Sequence, residues 1–202
     1  MIKNIIFDFG GVLFDWNPHY LFDWHFGDPE KTDRFINEIC TPEWNSALDA
    51  GKPFAEGVKE LIEKHPEWEK EINLYNEGWI RMMAGQIPGM YEIVSSLSRL
   101  GYPVYGLTNW SAEKFNLIRN HYGILLYMKG IVVSGEEKMI KPAPEFYEIL
   151  LTRYGLKAEE CLFIDDNAAN VAAAEALGIK AVRFVSPEKL REDLTEILGT
   201  EL

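Results

Sequence analysis

Three short apolar runs in this chain end on groups that can do chemistry. Ile5-Ile6-Phe7 ends on Asp8, Val104 to Leu107 ends on Thr108-Asn109, and Cys161 to Ile164 ends on Asp165-Asp166. A lysine followed by proline, Lys141-Pro142, lies between the second and third runs. In open parallel sheets, ligands bind beyond the carboxyl ends of the strands, so these groups point at one site. Taken singly, each has a plainer reading. Thr108-Asn109 suits a loop and helix cap, Asp165-Asp166-Asn167 suits the start of the alanine-rich stretch that follows, and Lys141-Pro142 suits a solvated turn. Their shared register with strand ends favours a site.

The elements that must position these groups follow an alternating pattern. Two further apolar runs, Gly130 to Val133 and Ala181 to Phe184, complete a set of five. Each is short and bounded by polar or turn residues, as buried parallel strands are. Helical patterns separate the last four. Ser111 caps a predicted helix to about His121, Pro144 opens one to Tyr154, and Asn167 to Leu177 ends at Gly178. This alternation indicates an α/β fold with right-handed crossovers. Nearly a hundred residues separate the first two runs, far more than one crossover. The interval from Trp16 to Gln86 holds five of the six tryptophans and no convincing strand. It reads as helices over about 29–39, 54–64 and 67–83, returning through the turn at Pro88-Gly89. Its aromatics are expected to form a small core of their own, with a few facing a cleft.

Composition sets limits. The 202 residues suffice for one core and a smaller insert. The formal net charge of −12 argues against nucleic-acid binding, which needs a basic footprint. It leaves room for a small anionic substrate, because amides, one lysine and a metal can override the global field locally. No apolar run reaches bilayer-spanning length, and MIKNIIFDFGG does not read as a signal peptide. The two cysteines, Cys40 and Cys161, form no metal-ligand pair. A reducing, cytoplasmic setting is the expectation.

FDFGGVLFD, LTNWS, KPAPEFY and FIDDNAANVAAAEALGI resemble, in order and separation, the four motifs of the haloacid dehalogenase-like hydrolases. The resemblance covers the whole chain, more weakly in the insert. It implies a Rossmann-like three-layer core over 1–15 and 87–202, with parallel strand order 5-4-1-2-3, and a helical cap over 16–86. It implies Asp8 as a nucleophile that forms an aspartyl-phosphate. It implies Mg²⁺ held by Asp8, the Gly10 carbonyl and Asp166, with Asp165 in support and the choice within the acidic pair open. Thr108, Asn109 and Lys141 are the implied phosphate clamp, and Lys141 also pairs with the carboxylates. Pro142 disfavours helix at Lys141 and holds it extended.

Most phosphatases of this family carry a second aspartate two residues after the nucleophile, as the general acid and base. Here that position is Gly10, a loss worth about 10²–10⁴-fold in rate. Three readings compete. The first is a Mg²⁺-dependent phosphatase of a small metabolite such as a sugar phosphate, which manages without that aspartate. Its D-x-G-x-V and FxDDNxxN pattern is similar to the bacterial α-glucose-1-phosphate phosphatase branch, and Asp15, His19 and His25 are candidate substitutes. The second is a metal-independent 2-haloacid dehalogenase, which LTNW fits and the acidic pair does not. The third is a catalytically weak module that binds phosphometabolites.

Overall fold

The computed structural model describes residues 1–201. Strand β1 (Asn4–Phe7) is buried along its whole length. The chain turns through Gly10 and Gly11 into β2 (Phe14–Trp16) and then runs through helices. These are α1 (His19–Phe26), α2 (Pro29–Arg34) with a π turn over Phe35–Ile39, α3 (Pro42–Asp49), α4 (Phe54–Lys64) and α5 (Glu69–Glu77). The chain returns as β3 (Met83–Gln86), antiparallel to β2. Strands and helices then alternate: α6 (Met90–Arg99), β4 (Val104–Thr108), α7 (Ala112–Ile118), β5 (Met128–Val133), the short α8 (Ser134–Glu137) and α9 (Pro144–Tyr154). The last elements are β6 (Cys161–Asp165), α10 (Ala168–Ala176), β7 (Lys180–Arg183) and α11 (Pro187–Leu198).

The main sheet runs β5-β4-β1-β6-β7, with every neighbouring pair parallel. Counted over these five strands alone and read from the β7 edge, this is the expected 5-4-1-2-3. The β2–β3 ribbon, outside the sheet, shifts the chain numbering. Side chains alternate across the sheet as the pleat requires. Ile5, Phe7, Leu162 and Ile164 join the larger apolar cluster with α6, α7 and α11. Ile6, Leu107 and Phe163 join the smaller one with α9 and α10. With β1 central, Asp8 emerges between the ends of β4 and β6.

The segment between β2 and β3 differs from its sequence reading at several elements. The expected helix over 67–83 stops at Glu77, and Met83–Gln86 is a strand. Gly78 marks the break. A Cβ there would fall 2.8 Å from the Leu74 carbonyl oxygen and 2.9 Å from Leu21 of α1. The MAGQ strand has no local signature, because its strand state comes from pairing with β2. Helices α1 and α3 were also not anticipated. The start of α3 is nonetheless written locally: Pro42 occupies the first turn and the Thr41 hydroxyl accepts the Trp44 N–H at 3.2 Å. The insert's aromatics do not form a separate core: Phe22, Phe26 and Phe35 pack ring against ring and Trp68 meets Phe26 and Phe35, but all join the same apolar cluster as Ile5 and Phe7 of the sheet. Trp16 and Trp79 stack apart from them, towards Trp110 of the core.

Candidate active site

Lys141 is 2% exposed, so its charge must be met inside the protein. Its ammonium lies 2.8 Å from Asp8 Oδ1 and 2.7 Å from Asp165 Oδ2. Two strand ends and one lysine thus close a buried charge triad. Asp8 Oδ1 also accepts the Phe9 N–H at 2.6 Å, while Oδ2 takes no hydrogen bond among the described residues. Burial is the main cause that pushes the Asp8 carboxyl up to about 7; Lys141 opposes the rise and the Asp165 charge adds to it.

The acidic pair divides its work. Asp165 is fully buried, and both its oxygens are engaged. Oδ1 accepts the Asn167 N–H at 2.8 Å, Oδ2 accepts from Lys141, and the Asn170 amide bridges both at 3.1 and 3.0 Å. Asn170, buried on α10, received no role from the sequence, although it stands in the same NxxN stretch as the cap residue Asn167. Asp166 is exposed, and its carboxylate takes no hydrogen bond from another residue among those described. Burial first, then the neighbouring Asp165 charge, raises its pKa. Asp8, Asp165 and Asp166 each offer an oxygen within 4.8 Å of the others. Gly11 makes room for this cluster: its φ is +73°, and a Cβ there would sit 2.5 Å from Asp166 Oδ2. Gly10 is different. Its φ lies outside the left-handed region, and a Cβ would meet nothing within 4 Å.

At the end of β4, the Thr108 hydroxyl is buried without a hydrogen-bond partner among the described residues. The Asn109 side chain binds the Lys141 backbone from both ends of its amide, accepting its N–H at 2.8 Å and donating to its carbonyl at 3.0 Å. As placed, it positions the lysine. The Lys141–Pro142 peptide bond is cis.

Beside this cluster lies a cavity of about 170 Å³, lined by Gly10, Trp16, Asn45, Asp49, Trp79, Asn109 and Trp110. The candidates Asp15, His19 and His25 are not among its lining residues. Asp15 accepts the Tyr20 hydroxyl, His19 faces Asp23 and Asp33, and His25 meets Glu71. The carboxyl that does reach the cavity is Asp49, at the end of the unanticipated helix α3. Burial pushes it up to about 7 against the opposing Ser111 N–H.

A central parallel sheet with an aspartate at the end of its middle strand, a buried lysine and a facing acidic pair defines a hydrolase of the Rossmann-like class. The chain belongs to the haloacid dehalogenase-like hydrolase family, whose model matches residues 2–178. It is 30% identical over 205 residues to the sesquiterpene phosphatase astK of Aspergillus oryzae, covering 98% of this chain and 97% of that one. It is 25% identical to the D-ribitol-5-phosphate phosphatase of Bacteroides thetaiotaomicron, over 99% of this chain and all of that protein. The fold matches a HAD-like family hydrolase from Porphyromonas gingivalis over the full length of both chains, with a TM-score of 0.76 and 24% identity. It also matches a Bacteroides thetaiotaomicron HAD family enzyme solved with magnesium and inorganic phosphate, with a TM-score of 0.70 and 22% identity over 92% of this chain and 96% of that one. No helix among the described residues is long and apolar enough to cross a membrane.

Proposed function

We propose that this protein hydrolyses phosphomonoesters of a small metabolite in a magnesium-dependent reaction, with Asp8 as nucleophile. The observation that carries this reading is the seat at Asp8. A fully buried ammonium touches a carboxylate that keeps lone pairs free, and the neighbouring strand ends on a buried hydroxyl without a partner among the described residues. Such a seat suits an incoming phosphoryl group. The oxygen donor set suits Mg²⁺. Asp8, the Gly10 carbonyl and Asp166 would hold the ion. Asp165, with both oxygens engaged, positions Lys141 and supports the cluster. When bound, the ion offsets repulsion between phosphate and carboxylates and draws charge from the phosphoryl oxygens.

Asp8 attacks phosphorus and the ester oxygen departs, leaving an aspartyl-phosphate; water then breaks the new P–O bond and frees Asp8 and phosphate. The Lys141 charge and the Thr108 hydroxyl stabilise the transferring group. Residues 16–86 act as a cap, with Trp16 and Trp79 walling the cavity on that side. A half-open cavity of about 170 Å³ beside Asp8 suits a small leaving group. A metal-free dehalogenation would leave the Asp166 carboxylate and its Gly11 cradle without a role. Release of phosphate from a panel of small phosphomonoesters with Mg²⁺ tests the reading. Asp8→Asn and EDTA should each abolish turnover. Activity untouched by EDTA, with chloride released from 2-chloropropionate, would overturn it.

A further inference from the structure

We propose that Asp49 is the acid–base residue of this site, protonating the departing alkoxide and then taking a proton from the hydrolytic water. The proposal rests on the phosphatase reading above. An alkoxide is a poor leaving group, and a positioned acid is worth about 10²–10⁴-fold in its departure. The groups around Asp8 are unsuited to that task. The Lys141 proton cannot leave without stranding two buried carboxylates. Asp165 is saturated with donors. Gly10 has no side chain.

Among the described residues, Asp49 is the one ionisable side chain lining the cavity that Gly10 and Asn109 share. It is held from two sides. Oδ1 accepts the Ser111 N–H at 2.9 Å and Oδ2 accepts the Asn45 amide at 2.9 Å. Asn45 is itself fixed by the Tyr75 hydroxyl at 3.0 Å, and Ser134 Oγ donates to the Asp49 carbonyl at 2.6 Å. The cavity is also set up for a polar occupant. The indole N–H groups of Trp16 and Trp110 are buried without partners among the described residues, and both residues line it.

Burial holds the Asp49 carboxyl near neutrality, where one group can serve both as acid and as base. Tyr75 and Cys40, nearby, are both pushed up by burial and stay neutral. On the elements packed around α3, the charged groups have other partners. Glu136 pairs with Arg119, Glu137 with Arg153 and Lys52 with Glu60. Glu113 accepts the Phe54 N–H, Lys114 donates to Asn76, and Lys138 packs on Gly51. In the first step Asp8 forms a bond to phosphorus, the ester P–O bond breaks, and the Asp49 proton goes to the alkoxide. In the second, water attacks phosphorus, its proton goes to the Asp49 carboxylate, and the P–O bond to Asp8 breaks.

The test compares wild type and Asp49→Asn, with Mg²⁺, on 4-nitrophenyl phosphate and on glycerol 3-phosphate as an alkyl phosphate. kcat/KM for the alkyl ester should fall on the order of 10²–10⁴-fold. For the nitrophenyl ester, whose phenolate leaves unprotonated, the loss should stay under roughly tenfold. A burst of about one nitrophenolate per site should appear as hydrolysis of the aspartyl-phosphate slows. Gly10→Asp in the Asp49→Asn chain should restore alkyl turnover, since a side chain at Gly10 enters open space in the same cavity. Equal losses on both esters, or none, would reduce Asp49 to a latch between α3 and the loop after β4. If Asp49→Asn does not fold, the wild-type pH profiles decide. Alkyl turnover should decline above about pH 7 while nitrophenyl turnover does not, and superimposable profiles would overturn the assignment. A wild-type chain inactive on both esters and on the metabolite panel sinks the phosphatase reading, and this assignment with it.

Discussion

Asn109 grips the Lys141 backbone with both ends of its amide, accepting the N–H at 2.8 Å and donating to the carbonyl at 3.0 Å. The end of β4 therefore sets the position of a cation supplied from a loop 32 residues further on. Asn109→Ala removes both bonds and leaves the chain core untouched. Because misplacing a catalytic group by about 1 Å can cost about 10²-fold, kcat on an aryl phosphate should fall roughly 10- to 100-fold with circular dichroism unchanged. A variant with wild-type kcat and raised KM would instead make Asn109 a substrate contact.

Gly10 and Gly11 are adjacent but carry opposite constraints. Gly11→Ala forces a Cβ against Asp166 at a φ of +73°, and left-handed backbone costs an L-residue about 1–2 kcal/mol. It should lower both the melting temperature and the Mg²⁺ affinity. Gly10→Ala meets open space and should change neither. Thermal denaturation with and without Mg²⁺ separates the two, and equal behaviour would mean that Gly11 does not cradle Asp166.

The contrast shows what the sequence discloses. The five strands and the ends on Asp8, Thr108 and Asp165 were legible from their apolar runs, although the expected burial fails at β7, which lies at the edge of the sheet and is exposed or half-buried along its length. The steric demand at Gly11 was not, because it arises from Asp166, far along the chain. Strand β3 was hidden for the same reason: its partner β2 lies across the whole insert. Asp49 was missed with its helix. Yet Thr41-Pro42 starts that helix and the i, i+4 pair Asn45–Asp49 lies on one face, so those two signals together could have found it. Which carboxylate reaches the cavity is a tertiary fact.

Lys141→Met should destabilise strongly. It leaves Asp8 and Asp165 buried without their cation, and breaking such a pair costs about 3–5 kcal/mol. The deficit should grow with pH. Burial already raises the Asp8 carboxyl to about 7 with Lys141 opposing the rise, so without the lysine it holds a proton in the folded chain above the pH at which the unfolded chain releases it, and raising the pH penalises the folded state. Urea denaturation at pH 5 and pH 8 measures this. A deficit that shrinks as the pH rises would mean that the carboxylates find another cation.

The same linkage gives Asp49 a signature independent of turnover. Its carboxyl moves from the ordinary 3.8 to about 7 on folding. Between those values the folded chain holds a proton that the unfolded chain has released, so this group's contribution to stability falls as pH rises through the window and levels off above it. Mg²⁺, saturating at each pH, keeps the carboxylates around Asp8 deprotonated and removes their share of the slope. Under those conditions the melting temperature of the wild type should drop from pH 5 to pH 8, and that of Asp49→Asn should drop less. Parallel curves would mean that Asp49 is ionised throughout, and a carboxylate already ionised at pH 5 has no proton to give a leaving alkoxide at pH 7.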